Sequence, residues 1–299
     1  MLDRRNFLAI AGLAAGGAMT GAWAADGKNT SKSKVSGSFV EKMAKLEAEA
    51  GARLGVSVVD TAKGAQWGYR ADERFPMCST FKFLAAAAVL KRVDQGEERL
   101  ERRIVYGQDA VLAYSPTTGK HVGGNGLSIS QLCEAAMTLS DNTAANLLLD
   151  SMGGPAALTA FIRTLGDGET RLDRNEPSLN EATPGDPRDT TTPASMTADL
   201  RKIVLGNALN PASRTLITQW LVDNQTGGKR VRAGLPAGWK VGDKTGTGNL
   251  GTANDVGVIW TPQGVPLLFA VYLTESKADE ARRNGVHAAV GKLIAHGLA

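Results

Sequence analysis

The 299-residue sequence holds only two cysteines and three histidines, and this scarcity limits the chemistry open to it. A zinc site is built from clustered cysteines, histidines and carboxylates, whereas His121, His287 and His296 stand far apart from any such cluster. The sequence also lacks a Gly-x-Ser-x-Gly turn, which disfavours a Ser-His-Asp hydrolase of the α/β-hydrolase type. We therefore expect neither a metal centre nor a histidine-based triad.

Long apolar runs and single-sign charge blocks are missing as well. After residue 24 no apolar run approaches the 18 residues that a membrane-spanning helix needs. The formal charge is only +4, and the basic residues are scattered among acids rather than interleaved with aromatics. We therefore expect no membrane segment in the mature chain and no nucleic-acid partner. The length suits one large domain or two closely packed ones.

The first 24 residues have the pattern of an export signal. The run Arg4-Arg5-Asn6-Phe7-Leu8 resembles a twin-arginine motif, and a Gly/Ala-rich apolar stretch follows it. Small residues at Ala22 and Ala24 suit a signal peptidase, so we predict cleavage near Ala24 and a periplasmic protein. The alternative is a retained anchor, because residues 7–24 are nearly long enough to span a bilayer.

Strand patterns occupy both ends of the remaining chain, and helical patterns occupy its middle. Alternating, β-branched segments predict strands at 54–60, 66–70, 239–247, 255–261 and 266–274. Apolar periodicity predicts helices at 36–50, 79–94, 128–139, 142–151, 154–165, 195–205, 211–223 and 277–297. The expected fold is of the α/β (α+β) class: an antiparallel, five-stranded sheet with helices packed on it, and an inserted all-helical domain.

These patterns also predict the domain boundaries. The sheet domain comprises residues 36–75 and 224–299, and the helical domain comprises residues 76–223, with a long irregular loop at 174–189. A cleft between two such lobes is a usual position for a small-molecule site, and we place the active site there.

Ser79 and Lys82 lie in the first turn of a helix that is apolar on every side from Phe83 to Leu90. Three residues apart on a helix, their side chains share one face. A lysine there loses water and meets the positive end of the helix dipole, and no carboxylate lies within a turn to offset this. Its partners must therefore come from distant parts of the sequence.

Three further segments carry candidate site residues, and each is a weak signal alone. The triplet Ser140-Asp141-Asn142 could simply cap a helix. The run 244–248, Lys-Thr-Gly-Thr-Gly, could be a solvated turn, but on an open edge strand it would suit a carboxylate ligand. In the loop, Arg174 and Asp189 could pair to close its ends. Glu176 precedes Pro177, which makes a cis peptide accessible, although a solvated loop glutamate is the alternative.

Together, the four segments resemble the class A serine β-lactamases, in order and in approximate spacing. The matching motifs are Ser79-x-x-Lys82, Ser140-Asp141-Asn142, Glu176-x-x-x-Asn180 and Lys244-Thr245-Gly246, over residues 36 to 297. The resemblance implies a serine acyl-enzyme that hydrolyses the β-lactam amide of penicillins and cephalosporins and confers antibiotic resistance. It also implies a monomer that needs neither metal nor cofactor, with a small-molecule β-lactam as its partner.

The resemblance further implies a role for each residue. Ser79 would be the nucleophile, and its backbone N–H would form an oxyanion hole with that of Thr247. Glu176, with Asn180, would activate the deacylating water. Either Lys82 or Glu176 would take the serine proton, and Ser140 would protonate the lactam nitrogen. The residues expected to bind substrate are Asn142, Lys244, Thr245, Thr247, Arg230 and, at the cleft mouth, Tyr114.

The two cysteines depart from patterns of the family. Many members bridge two helical cysteines, but the position matching the partner of Cys133 is Ala86. Carbapenem-hydrolysing members bridge the position of Cys78 to that of Gly248. We therefore expect two buried free thiols, and the resemblance does not extend to carbapenem hydrolysis.

Two rival classes remain after the resemblance is named. A penicillin-binding transpeptidase or carboxypeptidase shares the serine, lysine and Lys-Thr-Gly motifs but lacks a base for water, which Glu176 and Asn180 would provide. A non-catalytic antibiotic sensor would carry transmembrane helices, for which the mature chain has no candidate.

Overall fold

The computed structural model describes the backbone of residues 30–297 and the side chains of residues 37–297. The predicted export signal at residues 1–24 lies outside the described residues. Within residues 30–297, no helix is both long enough and apolar enough to cross a membrane.

A five-stranded antiparallel sheet is formed by both ends of the described chain, as the sequence predicts. Its strands are β1 (Arg53–Asp60), β2 (Gln66–Tyr69), β7 (Lys240–Thr247), β8 (Ala253–Trp260) and β9 (Pro266–Thr274). The order is β2-β1-β9-β8-β7, so the first hairpin pairs with the last strand. Two short ladders are separate from it, β3 (Phe75–Pro76) with β6 (Thr190–Thr191), and β4 (Arg103–Ile104) with β5 (Leu127–Ser128).

Eight α-helices lie in the described region. They are α1 (Thr30–Ala50), α2 (Phe81–Asp94), α3 (Ile129–Thr138), α4 (Asn142–Met152), α5 (Pro155–Thr164), α6 (Pro193–Leu200), α7 (Pro211–Val222) and α8 (Glu280–Ala295). The terminal helices cover one face of the sheet, where Phe39 and Met43 of α1 and Val290 and Ile294 of α8 join one apolar core. The other helices share a second core with residues from the opposite sheet face, including Leu268.

Helix α2 is the centre of the second core. Every residue from Phe81 to Leu90 is buried, which confirms a helix without a solvated face. Four consecutive alanines allow neighbouring helices to approach it closely, and alanine also has the highest helix propensity. Lys91 and Arg92 follow in the last turn, where positive charge complements the helix dipole.

Helix α6 ends earlier than its periodicity predicts. The expected helix 195–205 is an α-helix only as far as Leu200 and continues as a π-helical turn at Arg201–Leu205. The N–H of Gly206 donates to the carbonyl of Arg201, five residues earlier and 2.8 Å away. This i→i−5 hydrogen bond defines a π-helix, which is wider than an α-helix. Periodicity within one segment does not report such a change of hydrogen bonding.

The loop at 174–189 is closed by the predicted ion pair. Nε of Arg174 donates to Oδ2 of Asp189 at 2.6 Å, and Oδ1 of Asp189 accepts the N–H groups of Asp173 and Arg174. The Glu176–Pro177 peptide is cis. The ion pair and the two backbone hydrogen bonds hold the two ends of the loop together.

Both cysteines are free and buried, as expected. Burial raises the pKa of each thiol well above its usual range, with the charge of Glu176 adding to the effect at Cys78 and that of Glu98 at Cys133. The two thiols therefore behave as apolar packing groups.

Candidate active site

Ser79 lies in a tight turn between β3 and α2. Residues Cys78–Thr80 form a 3-10 turn that leads into the helix, and Cys78 has a φ of 45°, which a side chain rarely adopts. Strand β7 passes close to this turn: a Cβ on Gly246 would lie 2.7 Å from the carbonyl oxygen of Met77. Only glycine at position 246 permits this approach.

Lys82 obtains its carboxylate from the distant loop. Its Nζ lies 3.1 Å from Oε1 of Glu176, and neither side chain is accessible to solvent. The hydroxyl of Ser79 donates to the same oxygen at 3.2 Å. Burial lowers the pKa of Lys82, and the charge of Glu176 opposes this effect. A nucleophile, an amine and a carboxylate therefore converge on one buried point.

Within the triplet at 140–142, one residue has a structural role and the other two face the site. Asp141 caps α4 by accepting the N–H of Ala144, as expected for one of the three. It also holds the irregular segment that precedes β5 through Thr118, whose N–H and hydroxyl both donate to it. Ser140, with a φ of 60°, and Asn142 face Lys82 instead.

These two residues complete the surroundings of the Lys82 amine. Nζ donates to the carbonyl of Ser140 at 2.8 Å and to Oδ1 of Asn142 at 2.6 Å, and it lies 3.4 Å from Oγ of Ser140. A buried amine is thus surrounded by acceptors, which is the compensation that its burial requires.

Glu176 is held by two asparagines. The amide of Asn180 donates to Oε2 of Glu176. Asn146 pairs with the Glu176 backbone in both directions, accepting its N–H and donating to its carbonyl, each at 2.9 Å. Asn146 was missed by the sequence analysis, although it lies four residues after Asn142 and hence on the same face of α4.

Lys244 lies on the edge strand β7 and faces the hydroxyl of Ser140 from the sheet side of the cleft. Its Nζ donates to Oγ of Ser140 at 3.0 Å and to the carbonyl of Thr245 at 2.8 Å. Burial lowers the pKa of Lys244 well below its usual range, and the positive charges of Lys82 and Arg230 add to this effect. The hydroxyl of Ser140 therefore lies between two buried amines.

Arg230 reaches β7 from the loop after α7. Its guanidinium donates to the carbonyl of Gly246 at 2.8 Å and to Oγ1 of Thr247 at 2.7 Å, with Asn284 on its other side. The side chain is largely buried, and burial lowers its pKa. A cation is thus fixed beside the hydroxyl of Thr247.

These residues surround a cleft of about 430 Å³. Its lining includes the predicted Ser79, Tyr114, Ser140, Asn142, Asn180, Arg230, Thr245 and Thr247. Tyr114 is 53% exposed at the mouth. Lys82, Glu176 and Lys244 lie behind this lining, where their charges act on its polar groups. All eleven predicted site residues therefore gather at one cleft.

The lining also contains Thr226 and Glu280, which the sequence analysis missed. Thr226 contacts Thr245 through a hydrogen bond between their hydroxyls. Glu280 opens α8, and nothing in the sequence connects the start of that helix to the cleft. No cluster of three potential metal ligands was found among the described residues.

Comparison with known proteins finds β-lactamases that are similar over most of this chain. A model of the β-lactamase enzyme family matches residues 38–297. β-Lactamase OXY-1 of Klebsiella oxytoca is 47% identical over 258 residues, which cover 86% of this chain and 88% of that protein. A β-lactamase of Streptomyces albus G is 49% identical over 262 residues, covering 86% and 83%.

Two solved structures have higher sequence identity to this chain than these two relatives. An ancestral (GNCA) class A β-lactamase superposes with a TM-score of 0.85 at 63% identity, covering 87% of this chain and 99% of that one. The putative class A β-lactamase PenP of Rhodopseudomonas palustris superposes with a TM-score of 0.85 at 57% identity, with the same coverage.

Proposed function

Since this chain belongs to the class A serine β-lactamases and hydrolyses β-lactams, we propose that it opens the lactam ring of penicillins and cephalosporins through an acyl-enzyme on Ser79. One observation carries the residue assignment: the Ser79 hydroxyl donates to a buried carboxylate, Glu176, which also contacts the Lys82 amine. A serine hydroxyl is a weak nucleophile until an adjacent base accepts its proton.

In the acylation step, Oγ of Ser79 attacks the lactam carbonyl carbon as its proton passes to Oε1 of Glu176. The 3.2 Å contact between these atoms supports Glu176 rather than Lys82 as the acceptor. The Lys82 amine, 3.1 Å from the same oxygen, holds the Glu176 carboxylate in contact with the serine hydroxyl. The backbone N–H groups of Ser79 and Thr247 stabilise the negative oxygen of the tetrahedral intermediate.

Collapse of that intermediate breaks the carbon–nitrogen bond, and the nitrogen requires a proton. Ser140 is the donor in this proposal, because its hydroxyl lines the cleft. Its proton is replaced from Lys82, whose Nζ lies 3.4 Å from its Oγ, and Lys82 regains a proton from Glu176, 3.1 Å away, which restores the carboxylate for the next step. A lowered pKa makes this amine a better proton donor.

Deacylation uses the same carboxylate a second time. Glu176 takes a proton from a water that Asn180 helps to hold, and the hydroxide adds to the ester carbonyl. The ester bond to Oγ of Ser79 then breaks, and the proton returns to the serine. A penicillin-binding carboxypeptidase would lack this step, so the presence of Glu176 and Asn180 favours hydrolysis over a stable acyl-enzyme.

Substrate binding is assigned to the two walls of the cleft. Asn142 binds the side-chain amide of the substrate. Lys244, Thr245, Thr247 and Arg230 hold its carboxylate, because two cations and two hydroxyls suit an anion. Tyr114 contacts the substrate at the mouth.

The domain division and the cellular location are part of the same proposal. Residues 36–75 and 224–299 form the sheet domain, and residues 76–223 form the helical domain. The twin-arginine pattern at residues 1–24 supports export and a periplasmic enzyme. We further propose a monomer that binds neither nucleic acid nor membrane after signal cleavage.

The direct test is turnover of a chromogenic cephalosporin by the purified mature chain. We expect steady hydrolysis by the parent and none by Ser79→Ala. A single stoichiometric burst by the parent, followed by no turnover, would instead identify a penicillin-binding enzyme. The parent with Glu101→Gln, an exposed substitution that does not line the cleft, is the control for handling.

A further inference from the structure

Asn254, on strand β8, is a fully buried polar side chain that the mechanism above does not use. Its side-chain amide donates to two consecutive carbonyls far away in sequence, that of Pro76 at 2.8 Å and that of Met77 at 3.0 Å. Its Oδ1 has no hydrogen-bond partner among the described residues. The orientation is still determined, because the reverse one would place Oδ1 against two carbonyl oxygens.

Those carbonyls belong to the two residues that precede the Ser79 turn. The Met77 carbonyl also accepts the hydroxyl of Thr80 at 2.8 Å, while the Met77 N–H donates to the carbonyl of Asp189 at 2.9 Å. Cys78 then adopts its unfavourable φ of 45°. A backbone in such a conformation keeps it only where its neighbours impose it, and Asn254 provides two of the hydrogen bonds that do so.

The backbone of Asn254 contacts strand β7 and Arg230, on the sheet side of the cleft. Asn254 pairs with Gly246 in the sheet register, so Thr247 lies one residue beyond its partner. The carbonyl of Asn254 accepts Nη1 of Arg230 at 2.5 Å, and Nη1 also donates to the carbonyl of Gly246. The side chain of Asn254 thus contacts the backbone that leads into the Ser79 turn. The main chain of Asn254 contacts strand β7 and Arg230.

We infer that Asn254 is a positioning residue for the oxyanion hole, because it fixes the turn that carries the Ser79 N–H relative to the strand that carries the Thr247 N–H. This inference rests on the proposed function, in which those two groups bind the developing oxyanion. Oxyanion donors act through their preset geometry, so a shift of the turn away from β7 weakens stabilisation of the transition state more than binding of the ground state.

The test compares Asn254→Leu, which keeps the approximate size and removes both donors, with the parent. We expect kcat to fall by about tenfold or more, with KM changed by less than threefold, because the missing interaction acts in the transition state. Each rate is divided by the folded fraction of the same preparation, measured by near-ultraviolet circular dichroism against the parent. This correction removes any effect of misfolded protein.

Phenylboronic acid supplies a second, independent readout. It adds to Oγ of Ser79 as a tetrahedral anion and carries no carboxylate for Arg230, so its affinity reports the serine and the oxyanion hole. We expect its Ki to rise by about the same factor as kcat falls. Ser57→Ala, which removes a buried hydrogen bond to Thr197 far from the cleft, is the matched control and should leave both values unchanged.

If Asn254→Leu yields too little folded protein, Asn254→Ser repeats the measurement, because a serine is too short to reach both carbonyls. A lowered melting temperature with kcat per active site and Ki within twofold of the parent would reduce Asn254 to a purely structural role. Failure of the proposed function looks different, because the parent itself would then turn over no cephalosporin.

Discussion

Nζ of Lys82 lies 3.1 Å from Oε1 of Glu176, although 94 residues separate the two in sequence and neither reaches solvent. A buried ion pair gains little net stability, because desolvation offsets the attraction. Removing one partner is nevertheless costly, since the other charge is left without compensation. The pair is therefore better explained by chemistry than by stability.

The first prediction concerns Glu176→Gln. The amide keeps the shape but accepts no proton, so we expect hydrolysis to fall by about 10²–10⁴, the usual contribution of a general base. Acylation should slow and deacylation should nearly stop. Intact-protein mass spectrometry after mixing with a penicillin should show the acyl-enzyme persisting for minutes. Unchanged turnover would refute the role of Glu176.

The second prediction concerns Lys244→Ala. A hydrogen bond to a charged group contributes about 1.5–3 kcal/mol, so KM for a penicillin should rise by roughly 10–100-fold. The Ki of phenylboronic acid, which has no carboxylate, should change much less. Equal losses for both compounds would show that Lys244 acts through Ser140, the hydroxyl to which it donates, rather than through the substrate carboxylate.

The third prediction concerns Asp189→Ala. This substitution removes the carboxylate that accepts two backbone N–H groups and the Arg174 guanidinium, and Arg174 is itself only partly exposed. We expect a loss of about 2–4 kcal/mol in the free energy of unfolding, because several buried donors lose their acceptor. Urea denaturation measures it. Deacylation should also slow, because Glu176 lies in the same loop, whereas Thr183→Ala on its exposed part should preserve both properties.

The sequence predicted the sheet and its edge strand because both depend on local patterns that sum along the chain. The alternation in residues 54–60 and the apolar run at 266–274 identify the strands, and the antiparallel sheet that was the simplest arrangement for strands at both chain ends is confirmed. The buried environment of Lys82 also followed from the apolar helix after it. What this reasoning could not provide was the identity of its carboxylate, since partners far apart in sequence leave no local signal; the motif resemblance provided it.

Three residues to which sequence reasoning assigned no role have one feature in common. Asn146 and Asn254 contact backbone groups and Glu280 lies at the start of a helix, and neither kind of position leaves a compositional trace. Asn254 illustrates this: its amide binds carbonyls that belong to no motif. The early end of α6 was missed for a related reason, because one shifted hydrogen bond changes the helix without changing its apolar periodicity.

The fourth prediction concerns pH and the buried carboxyl group of Asp199. The side chain is inaccessible, and neither of its oxygens accepts a hydrogen bond from a described residue. Burial raises the pKa of Asp199 to about 9, and Asp167 contributes through its charge and through a hydrogen bond with the protonated carboxyl group. In the unfolded chain the pKa of an aspartate is about 3.9. The folded state therefore binds one more proton than the unfolded state between these two values.

The extra proton in the folded state determines the direction in which stability changes with pH. A raised folded pKa adds stability that is fully present below about pH 4 and is lost as the pH rises towards 9, by up to about 1.4 kcal/mol per pH unit. Asn cannot titrate, so Asp199→Asn does not lose this stability as the pH rises. Its free energy of unfolding should therefore increase relative to that of the parent by up to about 1.4 kcal/mol for each pH unit between pH 5 and 8. Urea denaturation at four pH values measures the difference. Glu101→Gln, at an exposed carboxylate, should run parallel to the parent, and a parallel curve for Asp199→Asn would show that Asp199 is ionised in the folded protein.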